Sequence, residues 1–66
     1  MRRYPTAAEV ERMAEALGTR PRLASDLARE TRMALRHAVG ALRVLAYQRR
    51  AVLSAGQGRT ARRSRA

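Results

Sequence analysis

Arg32, Arg36, Arg43 and Arg50 are spaced so that, on one helix, they fall within a sector of about 40° at about 100° per residue. A guanidinium forks parallel N–H donors onto a phosphate or a guanine edge. A row of them at this spacing is chemistry for holding a polyanion rather than for breaking bonds. Val39, Gly40 and Tyr47 flank the sector, and the opposite side carries Ala34, Ala38, Ala41, Leu42 and Leu45. The stretch from Arg32 to Tyr47 therefore reads as a helix with an apolar side for its own domain and a cationic side for a partner.

Groups that make or break bonds do not cluster in this pattern. His37 is the one histidine, and no acid follows residue 30 to orient it, so it reads as a partly buried helix residue. Cysteine is absent, which excludes disulfides and thiolate metal sites. No glycine-rich phosphate loop or metal-ligand spacing is present. Glu11 and Glu15 share a helix face, which reads as solvated surface. A non-enzyme is expected, with no cofactor, no metal, no small-molecule ligand and no sensor domain. No apolar run approaches the roughly 20 residues that span a bilayer. Met1–Pro5 is basic without an apolar signal segment after it, so a cytoplasmic protein with no membrane partner is expected.

The formal net charge is +10, and its distribution is uneven. Residues 1–30 hold all five acids beside six arginines, a net +1, whereas residues 31–66 hold nine arginines and no acid, a net +9. The second half is the expected polyanion contact and the first half the scaffold. Every basic residue is arginine. A GC-rich coding sequence accounts for much of that, and guanidinium chemistry is compatible with it. A chain of 66 residues allows one domain; a domain this small buries only about 60% of its unfolded surface, so stability is marginal.

The elements that must position the arginines can be read in order. Thr6-Ala7-Ala8-Glu9 fits a capping box, Val10, Met13, Ala14 and Leu17 recur at helical spacing, and Gly18 suits a left-handed stop. A first helix is expected over about 7–17. Thr19-Arg20-Pro21-Arg22 reads as a connector, and Leu23–Arg29 as a short second helix with Leu23, Leu27 and Ala28 inward and a poor N-cap. Glu30-Thr31-Arg32 reads as a turn in which Thr31 caps a third helix over about 32–48. The competing reading is one helix over 22–48, since no Gly or Pro interrupts it. Ala51–Ser54 reads as a strand and Ala55-Gly56-Gln57-Gly58 as a turn. Residues 1–58 form the expected domain. Residues 59–66 are either the second strand of a hairpin or a disordered basic tail.

Helix, short helix, turn, longer helix and glycine-turned hairpin is the order of a winged helix-turn-helix domain, which the chain resembles over residues 6 to about 60. Asp26-Leu27-Ala28-Arg29 is similar to the acid-Leu-Ala start of the second helix in bacterial regulators, and Met33, Ala38, Leu42 and Leu45 match the apolar positions that follow. Arg32 stands where the turn of that family usually has Gly, and Arg49 or Arg50 where its third helix usually ends in Gly. The fold the resemblance implies is mainly α with a small β-hairpin, a three-helix winged helix-turn-helix. No strand is evident between the first two helices, so a two-stranded sheet is expected.

The resemblance implies that the third helix enters the major groove of DNA with Ala34, Leu35, Arg36, Val39, Gly40 and Arg43 toward base edges. Arg36 and Arg43 suit guanine O6/N7, and Leu35 or Val39 a thymine methyl. Gly40 costs about 1 kcal/mol in mid-helix; close approach to DNA and tight packing on the first helix explain it equally. Arg22, Arg32, Tyr47, Arg49, Arg50, Arg59, Arg62, Arg63 and Arg65 suit the DNA backbone, with a solvated tail as the alternative for Arg62–Arg65. The expected function is sequence-specific binding of double-stranded DNA by a small, nucleoid-associated transcriptional regulator. Because one helix gives little contact, a homodimer or tandem binding is expected. The competing readings are an architectural or excisionase-like DNA-bending protein and an RNA- or ribosome-associated basic protein. A protein-interaction module using Leu35 and Val39 and a membrane-active helix fit less well.

Overall fold

In the computed structural model, which describes residues 5–54 and 60–64, the chain forms three helices and a three-stranded antiparallel sheet. The elements are α1 (Ala7–Ala16), β1 (Arg22–Leu23), α2 (Ala24–Thr31), α3 (Leu35–Tyr47), β2 (Ala51–Leu53) and β3 (Thr60–Arg63). This arrangement is mainly helical and compatible with a winged-helix-like fold. Among the described residues no helix is long and apolar enough to cross a membrane.

The capping box of α1 forms as expected. Glu9 N donates to Thr6 Oγ1 at 3.2 Å, and Thr6 N donates to Glu9 Oε1 at 3.0 Å. The end of α1 differs from expectation, because Gly18 is not left-handed. Leu17 turns extended instead, at φ −72° and ψ 136°. Its carbonyl accepts from Arg63 Nη2 at 2.8 Å, and Arg63 N donates to Gly18 O at 2.7 Å. The helix end is thus satisfied by β3, far along the chain, and needs no local glycine cap.

The single-helix reading of 22–48 is overturned at Arg32. Arg32 takes the left-handed conformation, φ 59° and ψ 40°. Its N–H donates to Arg29 O at 3.2 Å, and Met33 N donates to Ala28 O at 2.9 Å. That pair of bonds is a Schellman turn, closed here by an arginine. Thr31 caps no third helix; it is the last residue of α2, and its hydroxyl donates back to Leu27 O at 2.7 Å. Arg12 Nη1 donates to the Thr31 carbonyl at 3.1 Å, tying α1 to this corner. α3 therefore starts at Leu35, three residues later than expected, with Ala34 as an N-cap that makes no side-chain bond. Ala34 is exposed and does not belong to the apolar side.

α3 ends by the same device. Arg49 has φ 62°, its N–H donates to Ala46 O at 3.0 Å, and Arg50 N donates to Leu45 O at 2.7 Å. Arg32 and Arg50 accordingly lie outside α3, and the expected four-arginine row reduces on the helix itself to Arg36 and Arg43.

The sheet corrects two further expectations. Its order is β1-β3-β2, with Arg22 opposite Ala61, Leu23 opposite Thr60, and Leu53, Val52 and Ala51 opposite Ala61, Arg62 and Arg63. A two-residue strand carries no alternation pattern, so β1 was not legible. Leu23 belongs to it rather than to α2 and is 41% exposed, where an inward position was expected. Of the two readings for residues 59–66, the described part is strand, and it runs through the middle of the sheet. A domain ending at residue 58 would omit it. The Ala55–Gly58 turn and residues Arg59 and Arg65 lie outside the described residues.

The core lies where α1, α2 and the sheet converge on α3. Val10, Met13, Leu17, Leu27, Leu42 and Leu45 interlock with six alanines: Ala24, Ala28, Ala38, Ala41, Ala51 and Ala61. Alanine at Ala38 and Ala41, both fully buried, lets the helices approach closely. It also leaves most apolar burial to a few larger side chains.

A chain cut after residue 58 removes β3, leaving β1 and β2 without their shared neighbour. It is expected to lose cooperative thermal unfolding by circular dichroism. Thr6→Ala, by contrast, removes one cap and should lower stability by about 1 kcal/mol while unfolding stays cooperative.

Candidate functional site

The outer side of α3 carries a shallow concavity of ≈ 600 Å³ lined by Ala34, Leu35, Arg36, Val39, Gly40 and Arg43. α3 places these residues by periodicity alone: its inner side is committed to Ala38, Ala41, Leu42 and Leu45, so the rest of its surface must face out. Arg36 and Arg43 are seven positions apart, or about 10 Å along the axis, and stand at the two ends of the hollow. Leu35 is 53% exposed, and Val39 is half-buried, its inner edge against the core. Gly40 forms part of the floor.

The structure shows what else lies near Gly40. A Cβ built there would stand 3.3 Å from Pro5 Cδ and 3.9 Å from Pro5 Cγ. The close neighbour is thus the residue that leads into α1, as the packing explanation requires. The same glycine also lines the hollow.

The arginines divide into held and free. Glu11 and Arg50 form a forked pair, Nη1 to Oε2 at 2.8 Å and Nη2 to Oε1 at 3.1 Å. The hydrogen bonds and the guanidinium charge hold the Glu11 carboxyl below its ordinary range, and the same pair raises Arg50. Because the folded Glu11 value is depressed, the pair's contribution is present above the unfolded value and lost as pH falls through the folded one. Both side chains are solvated, so that contribution is small. Arg22 pairs with Glu30. Arg63 is spent on the Leu17 carbonyl, and Arg62 Nη1 donates to the Arg63 carbonyl at 3.3 Å. Arg22, Arg50 and Arg63, read from the sequence as open to a partner, are therefore engaged within the domain. Arg32, Arg36, Arg43 and Arg49 are exposed, and among the described residues their guanidiniums make no hydrogen bond or ion pair. All four stand on α3 or at its ends. Arg20 and Arg29, away from α3, are also exposed. Tyr47, at the last turn of α3, is 89% exposed.

His37 lies next to Arg36 but does not line the hollow. Its Nδ1 is 3.5 Å from Glu9 Oε2, with the two side chains 17% and 19% exposed. The second half offers no acid to orient it, as the sequence indicates, and the carboxylate beside it comes from the first half; sequence distance hid the pair. Since Glu9 also closes the capping box, His37 links α3 to the start of α1. Among the described residues no three His, Cys, Asp or Glu side chains gather as metal ligands.

Comparison of the chain with protein-family models, with curated proteins and with solved structures found no match.

The division into held and free arginines is directly measurable on a heparin column. Arg36→Ala and Arg43→Ala are expected to elute at clearly lower salt than the parent chain. Arg50→Ala combined with Glu11→Ala, and Arg22→Ala combined with Glu30→Ala, should elute close to it, since each removes a pair whose charges already cancel. Equal shifts for all four would mean that the ion pairs do not withhold charge.

Proposed function

We propose that this chain binds double-stranded DNA in a sequence-specific way, laying the outer side of α3 in the major groove, and that it works as a small transcriptional regulator. The observation that supports this is a coincidence of shape and charge. The six residues that the winged helix-turn-helix resemblance assigns to base edges line one hollow. The free guanidiniums of Arg36 and Arg43 line it, and those of Arg32 and Arg49 stand beyond the two ends of α3.

The physical fit is simple. An α-helix with side chains is about 10–12 Å across, and the major groove is about 12 Å wide. Arg36 and Arg43 can each fork onto guanine O6 and N7. Leu35 and Val39, apolar and accessible, suit a thymine methyl group between them. Phosphate attraction through the remaining cationic surface supplies sequence-independent affinity and a steep salt dependence. One helix gives limited contact, so binding as a homodimer or in tandem belongs to the proposal, as does a location with the nucleoid.

The experiment is selection from a random duplex pool at about 150 mM salt, near physiological ionic strength, beside a structured RNA pool. The expected result is a short enriched duplex motif. Steep salt dependence without any motif would favour the architectural, DNA-bending reading. Preferential RNA capture would remove the duplex assignment. On the selected duplex, Arg36→Ala and Arg43→Ala should each cost about 1–3 kcal/mol and relax preference at particular base pairs.

A further inference from the structure

Two of the free guanidiniums hang from backbone that suits glycine better than arginine. Arg32 and Arg49, at φ 59° and 62°, are the non-glycine residues with positive φ among those described. Each closes a Schellman turn in which a Cβ is sterically penalised. Neither guanidinium repays this within the domain, since neither makes a hydrogen bond or ion pair among the described residues. Strain without an internal return points to a use outside the fold.

Their positions say what that use is. Arg32 and Arg49 stand just beyond the two ends of α3, a helix of 13 residues, hence about 20 Å long. The major groove is only about 12 Å wide. A helix of that length lying across the groove carries both its ends over the sugar–phosphate walls. At one end, Arg49 borders a second hollow of ≈ 250 Å³ whose other lining residues are Ala14, Arg50, Arg63 and Ser64. At the other, Arg32 projects from the exposed corner between α2 and α3. Resting on the duplex reading above, we propose that Arg32 and Arg49 are a pair of phosphate clamps, one for each strand bordering the groove, present although each lowers the stability of the fold.

The test is Arg32→Gly and Arg49→Gly in the full chain, followed by thermal unfolding and by duplex binding across a salt series. Each glycine variant should melt higher, by about 4–8 °C if the strain is near the usual size for a domain this small. Each should also bind the duplex more weakly, with the salt slope reduced by about 0.9 per lost phosphate contact. Arg32→Ala and Arg49→Ala separate charge from backbone: they should lose the same slope without the gain in melting temperature, because alanine keeps its Cβ in the left-handed region. Glycine variants that melt no higher than their alanine counterparts would overturn the strain argument. If the glycine variants keep parental affinity and slope while Arg36→Ala weakens binding, the clamps are refuted and the duplex reading stands. If Arg36→Ala also leaves binding unchanged, both fall.

Discussion

Burial of the inner side of α3 is the constraint on which the rest of this structure depends. Ala38, Ala41, Leu42 and Leu45 are all but closed to solvent and face α1, α2 and β2 together. The alanines set how closely the neighbouring helices approach, and the leucines supply most of the area removed from water. Once that side is committed, the opposite side of the same helix is left to face outward, with Pro5 near Gly40 among the described residues. The hollow between Arg36 and Arg43 is therefore a consequence of how the core is filled.

The same packing decides where the charge goes. Fifteen arginines against five acids leave a net charge of +10, and a chain so charged repels itself. Three of the acids are placed where they do local work. Glu11 reaches from α1 to hold Arg50 below α3. Glu30 holds Arg22 at the edge of the sheet, and Glu9 joins the α1 cap to His37. None of these acids is set beside Arg36 or Arg43. Among the described residues, the arginines without an internal partner are thus fewer than the composition implies, and four of them stand on and around one helix.

Particular residues show which parts of this were legible. The α1 cap was, because Thr6 and Glu9 satisfy each other within one turn and need nothing else. The inner side of α3 and the β2 strand were legible for a related reason: periodicity is a local property. The end of α3 was legible to within one residue, whereas its start lies at Leu35 rather than residue 32 because Arg32, with its Cβ in place, makes a left-handed turn of the kind glycine usually makes. β1 was missed because two residues exist as a strand only through the hydrogen bonds of β3. Leu23 was assigned inward for the same reason, having been read as part of a helix it precedes. Among the residues expected to meet a partner, those on α3 come together as a group. Arg22 turns out to be held by Glu30 across α2, and Arg50 and Arg63 by groups distant in sequence.

Spacing and composition along short stretches were enough to set the helical core pattern, the sidedness of α3 and the concentration of arginine in the second half. It took the folded chain to make Thr60–Arg63 the central strand, to complete the end of α1 with Arg63 and to sort the described arginines into held and free. The physical reason is the same in each case. A backbone carbonyl, a strand edge or a guanidinium is satisfied by whichever partner the fold brings within about 3 Å, and that partner here lies as many as 46 residues away.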